Sequence, residues 1–407
     1  MQASFSYQDQ QFMRMAIGLA ARAGNNMHPN PLVGAVIVKD GRVIGSGAHE
    51  VCGSLHAERN ALKSCTEDPK GADIYVTLEP CCHQGKQPPC TQALIDAGIA
   101  RCYIGSSDPN PLVSGKGAAI LKQAGIQVYS GLLKEECDAL NPAFFHFMHT
   151  HRPLITLKYA MSLDGKIACY TGKSQWITGE QARSRVALRR AAHMAVLTSV
   201  STVTADDPLL TCHGKSSPDP IRIICDSHLR TPLSSLVLND IPSSSGKYYT
   251  QEDSLPAAAT HDGARYPRTI LATCESSPEA ADPYLEKGAS VIVLPADSCG
   301  HVDLNALMTR LGEMDISSLY TECGADLLGS LLDEHLADRA EIYIAPKILG
   351  NKNAKPPVGG QGCGDPALAF TLCPVNTSKI GEDLLTEGLI QYPDTPQEGC
   401  ASCSQES

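Results

Sequence analysis

His56 and Glu58 stand two residues apart, and Cys81 and Cys90 follow them along the chain. These residue types suit one chemistry. Replacing an aromatic amine by water at neutral pH needs a strong nucleophile and a carrier for protons. A Zn2+ held by one imidazole and two thiolates keeps a fourth position open for water and lowers that water's pKa. A carboxylate that does not bind the metal can then carry the proton from water to ring nitrogen and on to the leaving amine. His56, Cys81 and Cys90 are therefore the expected metal ligands, and Glu58 the expected proton shuttle. The order H-x-E, strand, P-C and a later Cys is the signature of hydrolytic amine removal at a zinc site.

These side chains need elements to position them. Ala72-Asp73-Ile74-Tyr75-Val76-Thr77-Leu78 is rich in β-formers and reads as a strand between the two parts of the site. The common spacing is Cys-x-x-Cys, whereas eight residues separate Cys81 from Cys90. Cys82 and His83 compete with them as ligands. The segment Gly85-Lys86-Gln87-Pro88-Pro89 has the stiffness to turn Cys90 back to the metal. A reading as buried cysteines and a core histidine fits any one of these residues. It does not fit the four in order.

The rest of the first half alternates helices and strands. Residues 9–23 read as a helix, 33–38 and 43–45 as a hairpin turned by Asp40-Gly41, and 91–97 as a helix stopped by Gly98. Residues 101–105 and 126–129 read as strands, 118–124 as a helix, and Glu135 to Met148 as one closing helix. This alternation implies a layered α/β domain over residues 1–150, with His151-Arg152-Pro153 as linker. Lys116, between Gly115 and Gly117, offers a cation and loop amides to a phosphate. A solvated surface lysine is the commoner fate of such a residue.

In the second half, strand character appears at 154–160, 195–198, 221–227, 269–272, 290–294 and 318–323. Residues 181–192 and 324–332 read as helices, and Ile380 to Leu385 begins a closing hairpin. Residues 240–262, rich in Ser, Pro, Ala and Thr, read as a surface excursion. The polar stretch 396–407, with Cys400 and Cys403, reads as a disordered tail. At Gly324 a strand passes into a helix, where backbone N–H groups can approach an anion and the helix start favours negative charge. No full G-x-G-x-x-G is present, so ordinary packing explains that junction equally well.

A chain of 407 residues suggests two or three domains. Residues 1–150 are near neutral, with 12 Lys and Arg against 13 Asp and Glu, so almost all of the net −11 lies beyond them. A nucleic-acid binder usually carries a basic patch, so this balance counts against tRNA or DNA as substrate. The 17 cysteines are scattered and form no short disulfide framework. The polar opening is no signal peptide, and no apolar run approaches a membrane span. The expected compartment is the reducing cytoplasm, where thiols stay free for zinc.

Further motifs are Pro29-Asn30-Pro31-Leu32-Val33-Gly34, Asp108-Pro109-Asn110-Pro111, Ser162-Leu163-Asp164-Gly165-Lys166 and Ser174-Gln175-Trp176-Ile177-Thr178. Ala205-Asp206-Asp207-Pro208-Leu209-Leu210 and Ile344-Ala345-Pro346-Lys347 follow. With the segments 56–62 and 79–90, they make the chain resemble the bifunctional deaminase–reductases of bacterial riboflavin biosynthesis. The resemblance implies a cytidine-deaminase-like three-layer α/β domain over 1–150 and a dihydrofolate-reductase-like α/β domain over 151–395. It also implies NADPH as the second cofactor beside Zn2+. The implied cofactor contacts are Ala160, Trp176, Thr202, Asp206, Ser227 and the turn Gly324, Ala325, Asp326, Leu327, Leu328, Gly329 and Ser330. The implied substrate contacts are Lys158, Ser174, Arg190, Leu210, His213 and Glu322, with Asn30 and His49 near the deaminase substrate. Bland readings stand beside two of these: His49 as an exposed strand-end histidine, and Arg190 as a solvated helix-face charge.

The implied reactions are deamination of 2,5-diamino-6-(5-phosphoribosylamino)pyrimidin-4(3H)-one, then reduction of its ribosyl chain to give 5-amino-6-(5-phosphoribitylamino)uracil. Asp206 is the candidate acid for the second step. The chain departs from the family at Thr211-Cys212-His213, where an arginine usually follows the Leu-Thr pair. His213 can donate to phosphate but is mostly neutral at pH 7, which implies a weaker hold on it. Three alternatives remain: a deaminase with a catalytically degenerate second half, a nucleic-acid deaminase with an appended domain, and a structural zinc. The expected partners are small phosphoribosylaminopyrimidines, with no nucleic acid and no membrane. The sequence leaves oligomeric state open, a homo-oligomer being allowed.

Overall fold

The structure is a computed structural model that describes residues 5–23, 30–50, 53–82, 88–110, 114–214, 219–239, 246–255 and 268–393. The chain divides into two compact units, Met1–His151 and Arg152–Ser407.

The first unit opens with α1 (Tyr7–Arg22), started by a reciprocal cap between Ser6 and Asp9. A hairpin follows, β1 (Gly34–Lys39) and β2 (Arg42–Ala48). Its turn residues Asp40 and Gly41 have φ of 51° and 75°, as a two-residue hairpin loop demands. Then come α2 (Ala57–Lys63), β3 (Asp73–Leu78), α3 (Cys90–Asp96), β4 (Arg101–Ser106), α4 (Lys116–Gln123) and β5 (Gln127–Ser130). The sheet order is β2-β1-β3-β4-β5, with β3, β4 and β5 parallel and the hairpin antiparallel to them. All six residues of β3 are buried, because helices cover both faces. Ala35, Ile37, Ile74 and Val76 pack with Ala57, Ala61, Leu94 and Leu121 on one face. Val36, Val38 and Tyr75 point the other way, towards Met13 and Ala16 of α1. The period-2 alternation of the strands thus builds three layers.

The single closing helix expected over 135–148 is two helices, α5 (Lys134–Asp138) and α6 (Pro142–Thr150). Pro142 is the reason: proline lacks the amide to continue a helix but fits the first position of a new one.

Glycine lets β2 and α2 approach closely. A Cβ on Gly47 would stand 2.5 Å from Ala61 N and 2.7 Å from Ala57 O. Gly47→Ala is therefore expected to cost about 1–3 kcal/mol of this unit's stability. It should also shift the helix that carries Glu58. Urea unfolding, with zinc stoichiometry measured alongside, checks both effects.

The second unit runs β6 (Leu154–Ser162), α7 (Glu180–Ala191), β7 (Ala195–Ser199), α8 (Val200–Asp206), β8 (Ile221–Cys225) and β9 (Tyr248–Tyr249). It continues with β10 (Thr269–Thr273), α9 (Pro278–Glu286), β11 (Ser290–Val293), α10 (Leu304–Glu313), β12 (Ser318–Thr321) and α11 (Ala325–Asp333). β13 (Arg339–Ala345), β14 (Thr371–Leu372), β15 (Asn376–Ile380) and β16 (Asp383–Gln391) close it. The sheet order is β14-β16-β13-β6-β12-β7-β8-β10-β11-β9, with β15 paired to β16. Every pairing from β13 across to β9 is parallel. The chain lays its strands outward from β6, then returns to insert β12 between β6 and β7. Loops leaving β7 and β12 therefore emerge side by side at the carboxyl ends, the place where open α/β sheets bind ligands.

The sequence pattern leaves α8, α9, α10 and β13 unassigned. In α9 an internal Pro283 masks the helix. In α8 a run of Ser, Thr and Val has little helix propensity, and the Ser199 cap on Thr202 N starts it. Within the expected excursion at 240–262, Tyr248 and Tyr249 pair with β11 as a short strand. Residues 240–245 and 256–267, the loop 83–87, Pro111, and the tail with Cys400 and Cys403 lie outside the described residues. No helix among the described residues is long and apolar enough to cross a membrane.

Candidate functional site

In the first unit, His56 caps the start of α2, Cys81 follows β3, and Cys90 is the first residue of α3. The fold brings the three together. His56 Nδ1 lies 3.5 Å from Cys81 Sγ and 3.4 Å from Cys90 Sγ. In a tetrahedral site with Zn–S of about 2.3 Å and Zn–N of about 2.0 Å, S···N separations come out at about 3.5 Å. The donor set and its spacing thus fit Zn2+ with one position open. All three donor atoms lie within 4.8 Å of one another, the single such trio among the described residues, and Cys82 is not part of it. His83 falls outside the described residues. Hydrogen bonds from the Cys90 side chain, from the Cys90 amide at 3.4 Å and from His56 lower the Cys81 thiol below its ordinary value, towards the thiolate form a metal requires.

Glu58, the second residue of α2, is 3% exposed and contacts the Cys90 thiol. Burial, reinforced by Cys81, pushes its carboxyl up to about 7, the range in which one group can both take and give a proton at neutral pH. His49 is buried at 3% exposure, which overturns its reading as an exposed strand-end residue. Its Nδ1 meets Leu55 O at 3.1 Å and its Nε2 meets Asn30 Nδ2 at 3.2 Å. Proton on Nδ1 and acceptor at Nε2 is the neutral tautomer, consistent with burial lowering its pKa.

Two further residues hold this site. Arg59 Nε and Nη2 donate to Pro88 O at 3.2 Å and Pro89 O at 3.3 Å, fixing the backbone just before Cys90. Arg59→Ala is expected to hasten zinc loss to a chelator several-fold, since one loosened ligand loop exposes the metal to exchange. A colorimetric chelator assay on the purified chain reads this directly. Glu79, 5% exposed, accepts from Gly115 N and Ala118 N, each at 3.0 Å. This internal carboxylate takes the loop amides expected to help Lys116 bind a phosphate. Lys116 itself is exposed.

In the second unit, the expected substrate residues converge on one buried cluster. Lys158 Nζ lies 3.2 Å from Glu322 Oε2, and Arg190 Nη2 donates to the same oxygen at 3.0 Å while its Nε grips Oε1. The side chains of Lys158, Arg190 and Glu322 are 16%, 13% and 10% exposed, so Arg190 is not a solvated charge. Burial alone would raise the Glu322 carboxyl, but Arg190 and Lys158 outweigh it and hold it at about 2. Two cations against one carboxylate leave a net positive charge. Arg190 Nη1 also donates to Thr211 O at 2.9 Å and faces His213 Nε2 at 3.3 Å. An imidazole nitrogen that accepts from guanidinium belongs to a neutral ring, so His213 acts here by orienting Arg190. The turn before it holds Asp207, Leu210 and His213 at φ of 41°, 54° and 51°, strained conformations that tend to mark functional loops.

The expected cofactor residues cluster less uniformly. Ser174 Oγ donates to Asp206 Oδ1 at 2.8 Å, and a Cβ on Gly324 would meet only Thr202 Oγ1, at 3.9 Å. The cap residue Gly324 gives α11 no side-chain acceptor, which leaves the amides at its start to another acceptor, a fit for an anionic cofactor group. Ala160 packs against the core on β6. Ser227 Oγ, by contrast, accepts from Val302 N at 3.1 Å, and Leu328 is fully buried in the core. Gly329 is where α11 meets the chain at Gly359 and Gly360: a Cβ there would stand 2.4 Å from Gly359 C and Gly360 N. Leu327 is partly buried against the core, and Ser330 Oγ returns to Asp326 O at 3.1 Å.

Residues 6–106 match the family model of the cytidine and deoxycytidylate deaminase zinc-binding region, and residues 153–386 match the RibD C-terminal domain. The riboflavin biosynthesis protein RibD of Actinobacillus pleuropneumoniae is 46% identical over 385 residues, 95% of this chain and 96% of that protein. The chain belongs to the RibD family. RibD of Escherichia coli is 42% identical over 84% of this chain and 89% of its own. The solved structure of Acinetobacter baumannii RibD covers 95% of this chain and 99% of its own, with a TM-score of 0.80 at 34% identity. The diaminohydroxyphosphoribosylaminopyrimidine deaminase/5-amino-6-(5-phosphoribosylamino)uracil reductase of Thermotoga maritima reaches 0.77 at 32% identity, covering 95% and 99%. As a RibD protein the chain is a bifunctional deaminase and reductase of riboflavin biosynthesis, using Zn2+ and NADPH.

Within this RibD chain, the sequence motifs mark the candidate zinc ligands and the carboxylate beside them but not the residues that brace them. Arg59 stands beside Glu58 in the motif, and Glu79 opens the Pro-Cys segment. What each one does depends on a loop that folds back from a distance, and no local pattern reports it.

Proposed function

We propose that His56, Cys81 and Cys90 hold the Zn2+ of the deaminase, and that Glu58 moves its protons. Bound there, the metal would supply the Lewis acidity that makes water nucleophilic at neutral pH. Glu58 takes the proton of the attacking water, passes it to the ring nitrogen, and delivers a proton to the departing amine, which leaves as ammonia. His49 and Asn30, joined in one hydrogen bond, present a neutral polar pair beside the same site. The observation that carries this reading is the trio of donors at tetrahedral spacing with a buried carboxylate against one of them.

In the second unit, Lys158, Arg190 and Ser174 supply cations and a hydroxyl for the phosphoribosyl group of the deaminated pyrimidine. Leu210 and His213 shape the turn that holds Arg190. Trp176, Thr202, Asp206, Ala160 and Ser227 line the NADPH side, with the α11 start from Gly324 to Leu327 receiving phosphate. Bound there, NADPH would supply the hydride that reduces the ribosyl chain to ribityl. Asp206, whose carboxyl accepts from Ser174 Oγ at 2.8 Å, is the acid we assign to this step, and it must be protonated to serve. The two activities divide between a deaminase domain over 1–150 and a reductase domain over 151–395. The free thiols of the described chain suit the cytoplasm, and the substrates are small molecules.

The test measures the two products apart. With the diaminopyrimidinone substrate, ammonia release should precede NADPH consumption. With the already deaminated pyrimidine, NADPH should be consumed without ammonia. Absence of NADPH turnover on that second substrate would reduce the second unit to a substrate holder.

A further inference from the structure

We propose that Arg183 and Lys347 are positioning residues that hold Trp176 as a preset platform for NADPH. The proposal rests on the reading of Trp176 as a cofactor contact. Trp176 is the chain's only tryptophan, and it is 63% exposed. A large ring that open, on a loop between β6 and α7, has no packing partners sufficient to fix it. Cations do so instead. The guanidinium carbon of Arg183 lies 4.5 Å from the indole centroid, a cation–π arrangement. The same guanidinium donates Nη1 to Thr178 O at 2.6 Å, which prevents it from drifting with the ring.

Lys347 fixes the backbone of the same residue, its Nζ donating to Trp176 O at 2.8 Å. Lys347 is itself anchored. Leu163 N donates to Lys347 O at 2.7 Å, and Asp164 accepts from Leu349 N and Gly350 N at 3.0 and 2.8 Å. Among the described residues neither cation forms an ion pair. Their contacts are one ring face and two carbonyls, so their charge serves geometry.

The location suits a planar ligand. With Arg183 against one face, the exposed area of the indole lies on the rest of the ring. Two residues earlier, Ser174 is tied to Asp206 at the end of α8, so the loop is pinned at the carboxyl ends of the parallel strands. A rigid aromatic with an open face stacks well on a planar heteroaromatic ring. Fixing the ring beforehand removes an ordering cost from binding, and the affinity gain appears without any new contact to the ligand.

Fluorescence of the full-length chain reports this tryptophan alone, and NADPH absorbs where tryptophan emits, so binding quenches it. Arg183→Gln should lower the anisotropy of Trp176 in the ligand-free chain and weaken NADPH binding about threefold. KM for NADPH should rise by the same factor with kcat nearly unchanged. Arg183→Lys, which keeps a cation on the ring, should recover most of both, and Lys347→Met should also lower the anisotropy. Circular dichroism and melting curves show that each variant is folded. If NADPH quenches the wild type but anisotropy and affinity stay unchanged in Arg183→Gln and Lys347→Met, the two braces are refuted and Trp176 remains a cofactor contact. If NADPH at saturating turnover concentrations leaves wild-type emission unquenched, the reading of Trp176 fails and the proposal falls with it.

Discussion

Glu58→Gln is expected to cut ammonia release by about 10²–10⁴-fold, the range of general acid–base catalysis, while the chain keeps its full complement of zinc. Glutamine has nearly the shape of glutamate, so the buried position beside Cys90 stays filled. It cannot accept a proton from water, and it cannot return one to an amine. The metal ligands are untouched, and the close trio of His56, Cys81 and Cys90 keeps its donors. Metal analysis and an ammonia assay on the same preparation separate the two effects. A structural zinc makes the opposite forecast: deamination would survive the substitution. NADPH oxidation on the deaminated pyrimidine serves as an internal control, because Glu58 and the Lys158–Glu322–Arg190 cluster belong to different compact units. Loss of both activities together would mean that the variant had damaged the fold and not a proton path.

The two sites were unequally visible in the sequence, and for a physical reason. The proposed deaminase ligands sit at the ends of short elements close in sequence: His56 before α2, Cys81 after β3, Cys90 at the head of α3. Chemistry and local periodicity therefore point to the same few residues, and even the long Cys–Cys loop changes only the path between them. The reductase cluster is built otherwise. Lys158 and Glu322 are 164 positions apart, and Arg190 lies 132 from Glu322. They meet only because β12 inserts between β6 and β7, an order that no window of sequence displays. Resemblance supplied the residues, whereas their mutual ion pairing had to be seen. The same limit applies to bracing residues. Arg183 reads as one of four arginines on a helix, and nothing in its spacing says that it lies under Trp176. A single proline decided two misses: Pro142 splits the expected closing helix into α5 and α6, and Pro283 inside α9 hides a helix left unassigned.

That buried cluster carries the second large effect. Glu322→Ala is expected to destabilise the second unit by about 3–5 kcal/mol, the usual cost of removing one partner from a buried ion pair. Lys158 and Arg190 would then face each other with no anion between them, at 16% and 13% exposure. NADPH oxidation should disappear, since both cations lose the geometry in which they meet the substrate. Ammonia release should persist. The effect also has a pH signature. In the folded chain Arg190 and Lys158 overcome burial and hold the Glu322 carboxyl at about 2, below the ordinary 4.5. A depressed carboxyl contributes its stability in full above the unfolded pKa and loses it as pH falls towards the folded one. The stability difference between wild type and Glu322→Gln should therefore be widest at pH 7 and shrink steadily between about pH 4.5 and pH 2. Urea unfolding followed by the emission of Trp176, which lies in this unit, measures that difference at each pH. A gap that stays constant across the range would show that Glu322 does not stand ionised between the two cations, and the charge balance assigned to the reductase site would have to be abandoned.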